Sequence, residues 1–145
     1  MRLQPNDIIE IHQLLSLYGH VADATVGGGS RERFREVFTP DAVFDSTDAP
    51  VGRVYEGVDA IGQMFLRTDP PHTPVHLQTN FYAWEEDGVV RAISKWFGIN
   101  RVTGRLQCGD YADVLVQTPD GWRIRERLVI CRWWDGGPPD EAAVR

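Results

Sequence analysis

The residues with the clearest chemical potential are His76, Gln78 and Asn80. They sit at alternate positions in Val75-His76-Leu77-Gln78-Thr79-Asn80, and in a strand they share one face while Val75, Leu77 and Thr79 share the other. A histidine on such a polar face is a candidate general base, because its ordinary pKa lies near neutrality. A histidine base needs a carboxylate to hold one ring N–H and fix the tautomer. Asp23 is the best candidate: it ends an otherwise apolar helix, at the pole where the dipole disfavours a negative charge. The plainer reading of Asp23 is a solvated helix end. Tyr18 lies on the apolar stripe of the same helix, so its hydroxyl must find a partner.

The remaining titratable groups read more simply. His12 falls on the polar side of the first helix and His20 near its end, where a cation is favoured. His72 and His76 have i,i+4 spacing, but prolines at 70, 71 and 74 forbid a helix there. No Glu or Cys completes a site nearby, so a metal is not expected. Arg123, Arg125 and Arg127 share a face of the last strand, a solvated face in the simplest case, with Asp113 or Glu126 as partners. A bulge would turn one of them inward.

These groups must be held by an ordered set of elements. Asn6 or Asp7 caps the first helix, with Asp7 and Glu10 at capping-box spacing, and Ile8, Ile11, Leu15, Tyr18 and Ala22 form its buried stripe to about Asp23 or Ala24. Gly27-Gly28-Gly29 breaks it. Ser30 caps a short helix through Phe38, stopped by Thr39-Pro40-Asp41. Short strands follow at Ala42–Asp45 and Arg53–Tyr55. A third helix from about Asp59 turns Ile61, Met64 and Phe65 inward. After the proline loop come four long strands, Val75–Trp84, Val89–Asn100, Leu106–Thr118 and Trp122–Trp134, joined by short turns as an antiparallel meander. Helices first and sheet afterwards give an α+β architecture. Three short helices cannot cover strands spanning about 33 Å. The gap is a natural pocket, and Phe38, Phe65, Trp96 and Tyr111 are its candidate lining; the alternative is that they fill a core.

The 145 residues suit one domain over 1–135, with 136–145 as a loose tail or a contact with a neighbouring subunit. Hydrophobic residues at 42% and charged residues at 25% are ordinary for a globular protein. There is no apolar run long enough for a membrane span. The start, Met1-Arg2-Leu3-Gln4-Pro5, lacks a signal-peptide core. A net charge of −6 without a basic block argues against nucleic acid and anionic membranes as partners. Cys108 and Cys131 therefore read as reduced cytoplasmic thiols.

Several pieces occur in a familiar order: Tyr18 and Asp23 on one helix, Phe38-Thr39-Pro40-Asp41-Ala42, Tyr55-Glu56-Gly57, His76 with Thr79-Asn80, Gly109-Asp110-Tyr111, and Asp120-Gly121-Trp122 followed by Arg127. In this the chain resembles the SnoaL-like branch of the nuclear transport factor 2-like superfamily, and within it the group of scytalone dehydratase, bile acid 7α-dehydratase and the hexachlorocyclohexane dehydrochlorinase. The resemblance implies a cone-shaped, curved antiparallel sheet wrapped around N-terminal helices, a cystatin-like α+β barrel with the pocket inside. It implies a homo-oligomer, with a trimer favoured and a dimer as the alternative, and a small hydrophobic molecule as partner. It assigns His76 as base, Asp23 as its orienting partner, and Tyr18 and Arg127 as assisting groups. Where scytalone dehydratase has a second pocket histidine, this chain has Ser94 and Trp96. The function so implied is a cofactor-independent lyase of dehydratase or eliminase type. A ketosteroid-isomerase-like isomerase or a non-catalytic binding protein are the alternatives.

Overall fold

Alternation of apolar and polar residues through the second half of the chain builds one six-stranded sheet, and the apolar stripe of the first helix lies across it. The structure, a computed structural model, describes residues 2–68 and 71–137. Asp69, Pro70 and, of the expected tail, residues 138–145 lie outside the described residues. The elements in chain order are α1 (Pro5–Val26), a 3-10 helix (Arg31–Glu36), β1 (Phe38–Asp45), β2 (Val54–Glu56), α2 (Val58–Met64), β3 (Leu77–Glu86), β4 (Val89–Ile99), β5 (Leu106–Thr118) and β6 (Gly121–Trp133). The strand order is β2-β1-β6-β5-β4-β3. The four long strands form the expected antiparallel meander, and β1 adds to β6 in parallel. The sheet is curved and open, with helices on its inner side. Among the described residues no helix is long and apolar enough to cross a membrane.

Helix α1 buries Ile11, Leu14, Leu15, Tyr18, Val21 and Ala22. It begins earlier than the expected cap. Pro5 occupies the first turn, where its missing N–H costs nothing, and the N–H of Gln4 donates to Asp7 Oδ2 at 2.8 Å. His12 is half-buried, its ring 5.3 Å from that of Phe81, rather than in solvent. The second helix is shorter than expected and is 3-10 in type; Ser30 accepts from the N–H of Glu32, and Phe38 already belongs to β1. That strand runs straight through Pro40. Its register against β6 slips between Phe38 and Val43, and a residue without an N–H is tolerated in such an irregularity.

Two further irregularities decide which side chains reach the interior. In β3 the register against β4 slips between Thr79 and Tyr82, and Asn80 takes a left-handed φ of 55°. The slip breaks the alternation. Gln78 still faces inward, donating to Ser94 Oγ at 3.2 Å, but Asn80 is exposed and Phe81 takes the inward place. The expectation that Asn80 shares the face of His76 is thereby corrected. In β6, Glu126 pairs with Val114 while Ile124 pairs with Leu115, so Arg125 is the extra residue. Beyond it the side chains change faces, and Arg127 turns into the core with 1% of its surface exposed.

A buried guanidinium needs a counter-charge. Asp113, directly opposite on β5, receives Arg127 Nε at 2.7 Å and Nη2 at 2.8 Å. The guanidinium carbon lies 4.2 Å from the Tyr18 ring centroid and 4.1 Å from that of Tyr111. Burial alone would lower the arginine pKa, but the charge and hydrogen bonds of Asp113 outweigh it and raise it. Removing one partner of such a pair strands the other charge. We therefore expect Asp113→Ala to destabilise the protein by about 3–5 kcal/mol, read as a lower urea midpoint. An unchanged midpoint would show that the pair carries no stability.

Candidate active site

The site is assembled where the last turns of α1 meet the residues entering β3. Gly19 faces that junction. A Cβ at this position would stand 2.7 Å from the carbonyl oxygen of His76. Glycine inside a helix costs about 1 kcal/mol relative to alanine, and here it lets the two backbones touch. One helical turn later, Asp23 Oδ1 accepts the backbone N–H of His76 at 2.8 Å and meets its ring Nδ1 at 2.6 Å. One carboxylate oxygen thus fixes both the backbone and the ring. A carboxylate can only accept, so Nδ1–H is the donor, which in a neutral imidazole leaves the free lone pair on Nε2. The His76 side chain is 6% exposed and that of Asp23 30%.

The ring of His76 forms part of the wall of a cavity of about 350 Å³. Tyr18, Trp96, Tyr111 and Met64 make its apolar wall, and Val51, Asn100, Val102 and Thr103 also line it. Tyr18 packs edge-on to His76, with ring centroids 6.0 Å apart, and to Tyr111 at 5.6 Å. Burial raises the pKa of both phenols, that of Tyr111 furthest, while the charge of Arg127 pulls the other way. Both hydroxyls are therefore proton donors at neutral pH. Trp96 stacks on Tyr111 and anchors its indole N–H on the carbonyl of Asp110 at 3.1 Å.

Other residues singled out in the sequence lie elsewhere. Phe38 and Phe65 are core residues, Phe65 stacking on Phe34 at 4.9 Å and touching His76 edge-on. Ser94 is buried beneath Gln78 and does not reach the cavity wall. Arg127 lies against the rings of the two tyrosines and is not among the cavity-lining residues.

The residue that the sequence reading passed over is His72. Its ring centroid stands 5.0 Å from that of His76 and 4.5 Å from Phe65, on the cavity wall. The prolines do exclude a helix, but the loop folds back without one. Thr73 Oγ1 donates to the carbonyl of Ile99 at 2.8 Å. Gly98 makes room for this, since a Cβ there would lie 2.9 Å from Thr73 Oγ1. A glycine near the end of a long strand was the available signal. Among the described residues no three His, Cys, Asp or Glu side chains converge as a metal site.

Residues 5–128 match the model of the SnoaL-like domain. The chain belongs to the SnoaL-like family. No curated protein matches it significantly. Solved structures of similar fold include a Catenulispora acidiphila protein in complex with S-DNPA, 26% identical, with 97% of this chain and 98% of that chain covered and a TM-score of 0.67. An NTF2-like protein with a cystatin-like fold from Novosphingobium aromaticivorans is 20% identical over 97% and 90% of the two chains, with a TM-score of 0.70. A candidate aromatic ring hydroxylase from the same organism is 24% identical over 89% and 91%, at 0.69. The SnoaL-like chain thus shares the cystatin-like α+β fold of these structures.

His72 gives the site a pH signature. Burial, then the charges of His76 and Arg67, lower its pKa well below 6.5. Unfolding restores the ordinary value, so just below pH 6.5 the unfolded chain binds more protons than the folded one. The contribution is fully present above pH 6.5 and is lost as pH falls towards the folded value, at up to about 1.4 kcal/mol per pH unit. His72→Gln should therefore flatten the fall of Tm between about pH 6.5 and pH 5 relative to the wild type. Equal slopes in the two proteins would refute this.

Proposed function

We propose that this SnoaL-like protein is a cofactor-independent lyase of the dehydratase or eliminase type, acting on a small, hydrophobic, ring-containing molecule. The observation that carries the reading is the 2.6 Å contact between Asp23 and Nδ1 of a histidine whose ring lines the cavity. Nε2 of His76 removes a proton from a carbon beside an activating group, and Asp23 stabilises the imidazolium formed. The electron pair becomes a carbon–carbon double bond as the hydroxyl on the next carbon departs. Tyr18 donates the proton that turns this hydroxyl into water. The imidazolium then returns its proton to the phenolate, and the net change is loss of one water. Arg127 lies over the Tyr18 ring and opposes the effect of burial on its hydroxyl, so it assists through the tyrosine.

The cavity itself supports a ligand-binding role. Trp96 and Tyr111 line it and do not fill it, and a volume of about 350 Å³ lies within the range of small-molecule sites. The solved complex of the 26% identical Catenulispora protein supports the same role. A second reading, an isomerase, is favoured by the adjacent protonated hydroxyls of Tyr18 and Tyr111, which suit a developing enolate oxygen.

On β-hydroxy aryl ketones, His76→Ala and Asp23→Asn should each lower kcat/KM by about 10²–10⁴-fold while leaving Tm near the wild-type value. Unchanged turnover in either variant sinks the acid–base reading. A product lighter by one water identifies the lyase, and a shifted double bond at unchanged mass identifies the isomerase. The assembly proposed is a homo-oligomer, a trimer in preference to a dimer. It is supported by the aligned outer-face row of Leu77, Phe97 and Trp133, which are 45%, 39% and 40% exposed. Light scattering should give a mass above that of one chain at micromolar concentration, and a monomer would overturn it.

A further inference from the structure

Among the described residues, the cavity wall carries one fixed charge. Among its described lining residues there is no Asp or Glu, and Arg67 is the only Lys or Arg. This is unexpected for a chain with a net charge of −6. Arg67 lies three residues beyond the end of α2, between this cavity and a neighbouring one lined by Tyr55 and Gln63. Its Nε is buried and has no hydrogen-bond partner, and among the described residues no carboxylate lies within ion-pair distance of it. The other inward-facing arginine, Arg127, also has one unpartnered nitrogen, Nη1, but its charge is matched by Asp113 through two hydrogen bonds. Beside Arg67 lies His72, which also lines the cavity and whose Nδ1 is buried without a partner. The two are close enough for the arginine charge to bear on the imidazole.

A guanidinium without a counter-charge, on a wall whose described residues include no other Lys, Arg, Asp or Glu, is a recognition element for an anion. Nε–H and an Nη–H of arginine form a planar fork whose two parallel donors match the two oxygens of a carboxylate. A phosphate dianion would call for more positive charge than one side chain supplies. A neutral imidazole keeps one N–H, a further donor at the same place. We infer that the molecule taken into this cavity bears a carboxylate, which Arg67 holds with help from His72, and that Arg67 is the specificity-determining residue of the site. The inference names the substrate class for the lyase reading and rests on that reading for what happens next. Binding itself does not require turnover. With the carboxylate held by Arg67 and His72, the ring of the bound molecule lies against Trp96 and Tyr111. His72 adjoins His76, so the carboxylate is anchored close to the base.

Two matched probes test this, 2-naphthoate and 2-naphthamide, titrated calorimetrically into the full chain. The wild type should bind naphthoate about tenfold or more tightly than naphthamide, the expected size of a charge-assisted hydrogen-bonded contact. Arg67→Met should remove the preference. Arg67→Lys, which keeps the charge and loses the fork, should retain only part of it. His76→Ala should keep the preference in full. Equal or tighter binding of naphthamide by the wild type overturns the inference, as does failure of both probes to bind. A preference that survives in Arg67→Met overturns it too. The wild-type comparison stands even if the Arg67 variants fold poorly. Absence of turnover in the wild type, with the naphthoate preference intact, would remove the lyase reading and leave the carboxylate site in place.

Discussion

A guanidinium buried at the centre of the sheet constrains everything around it. Arg127 cannot remain in the core as a lone charge, so β5 must present Asp113 directly across from it, and the two form a fork of parallel hydrogen bonds. The flat faces of that ion are then covered by Tyr18 from α1 and Tyr111 from β5. Helix and sheet are thereby locked at a fixed separation by a contact that is polar at its centre and aromatic around it. The same two tyrosines carry their other edges to the cavity wall. Structure and site are in this sense one network: the ion that holds α1 against the sheet also tunes the phenols beside the candidate base.

That network makes clear how much could be read from residue order. The architecture was legible because the long strands alternate cleanly and glycine-containing turns separate them. Asp23 and His76 could be brought together from chemistry alone, since a carboxylate at a helix C-terminus needs donors and a histidine entering a strand can offer them. What was not legible depended on bulges. Alternation places Asn80 with His76 and Arg127 with Arg125, and in each case a single extra residue reverses the face. A bulge leaves almost no trace in composition; Asn80 tolerates a left-handed φ but does not announce it. His72 was hidden for a different reason. Prolines state which backbone shapes a loop cannot take and say nothing of where it folds back. Arg67 was hidden because an arginine just beyond a helix normally points to water.

The cavity itself is chemically lopsided. One side holds titratable groups, His76 with Asp23 behind it and the tyrosines with Arg127 behind them. The other side is apolar apart from Arg67, His72 and a few neutral polar groups. In each pair on the reactive side, the charged member sits further from the cavity than the member that would touch a ligand. Charges so placed set orientation and acidity without themselves competing for the bound molecule.

The contact at Gly19 has an evolutionary and practical consequence. Positions 19 and 76 meet backbone to side-chain site, at a distance no other residue can match without moving the strand. The registration of base and carboxylate is thus set by the main chain, upstream of any side chain that meets a ligand. Val51, Met64 and Val102 on the cavity wall are free of that duty. A lineage, or a designer, can reshape those walls to admit different molecules while the Asp23–His76 pair stays aligned. Position 19, though nowhere on the wall, is where such tolerance ends.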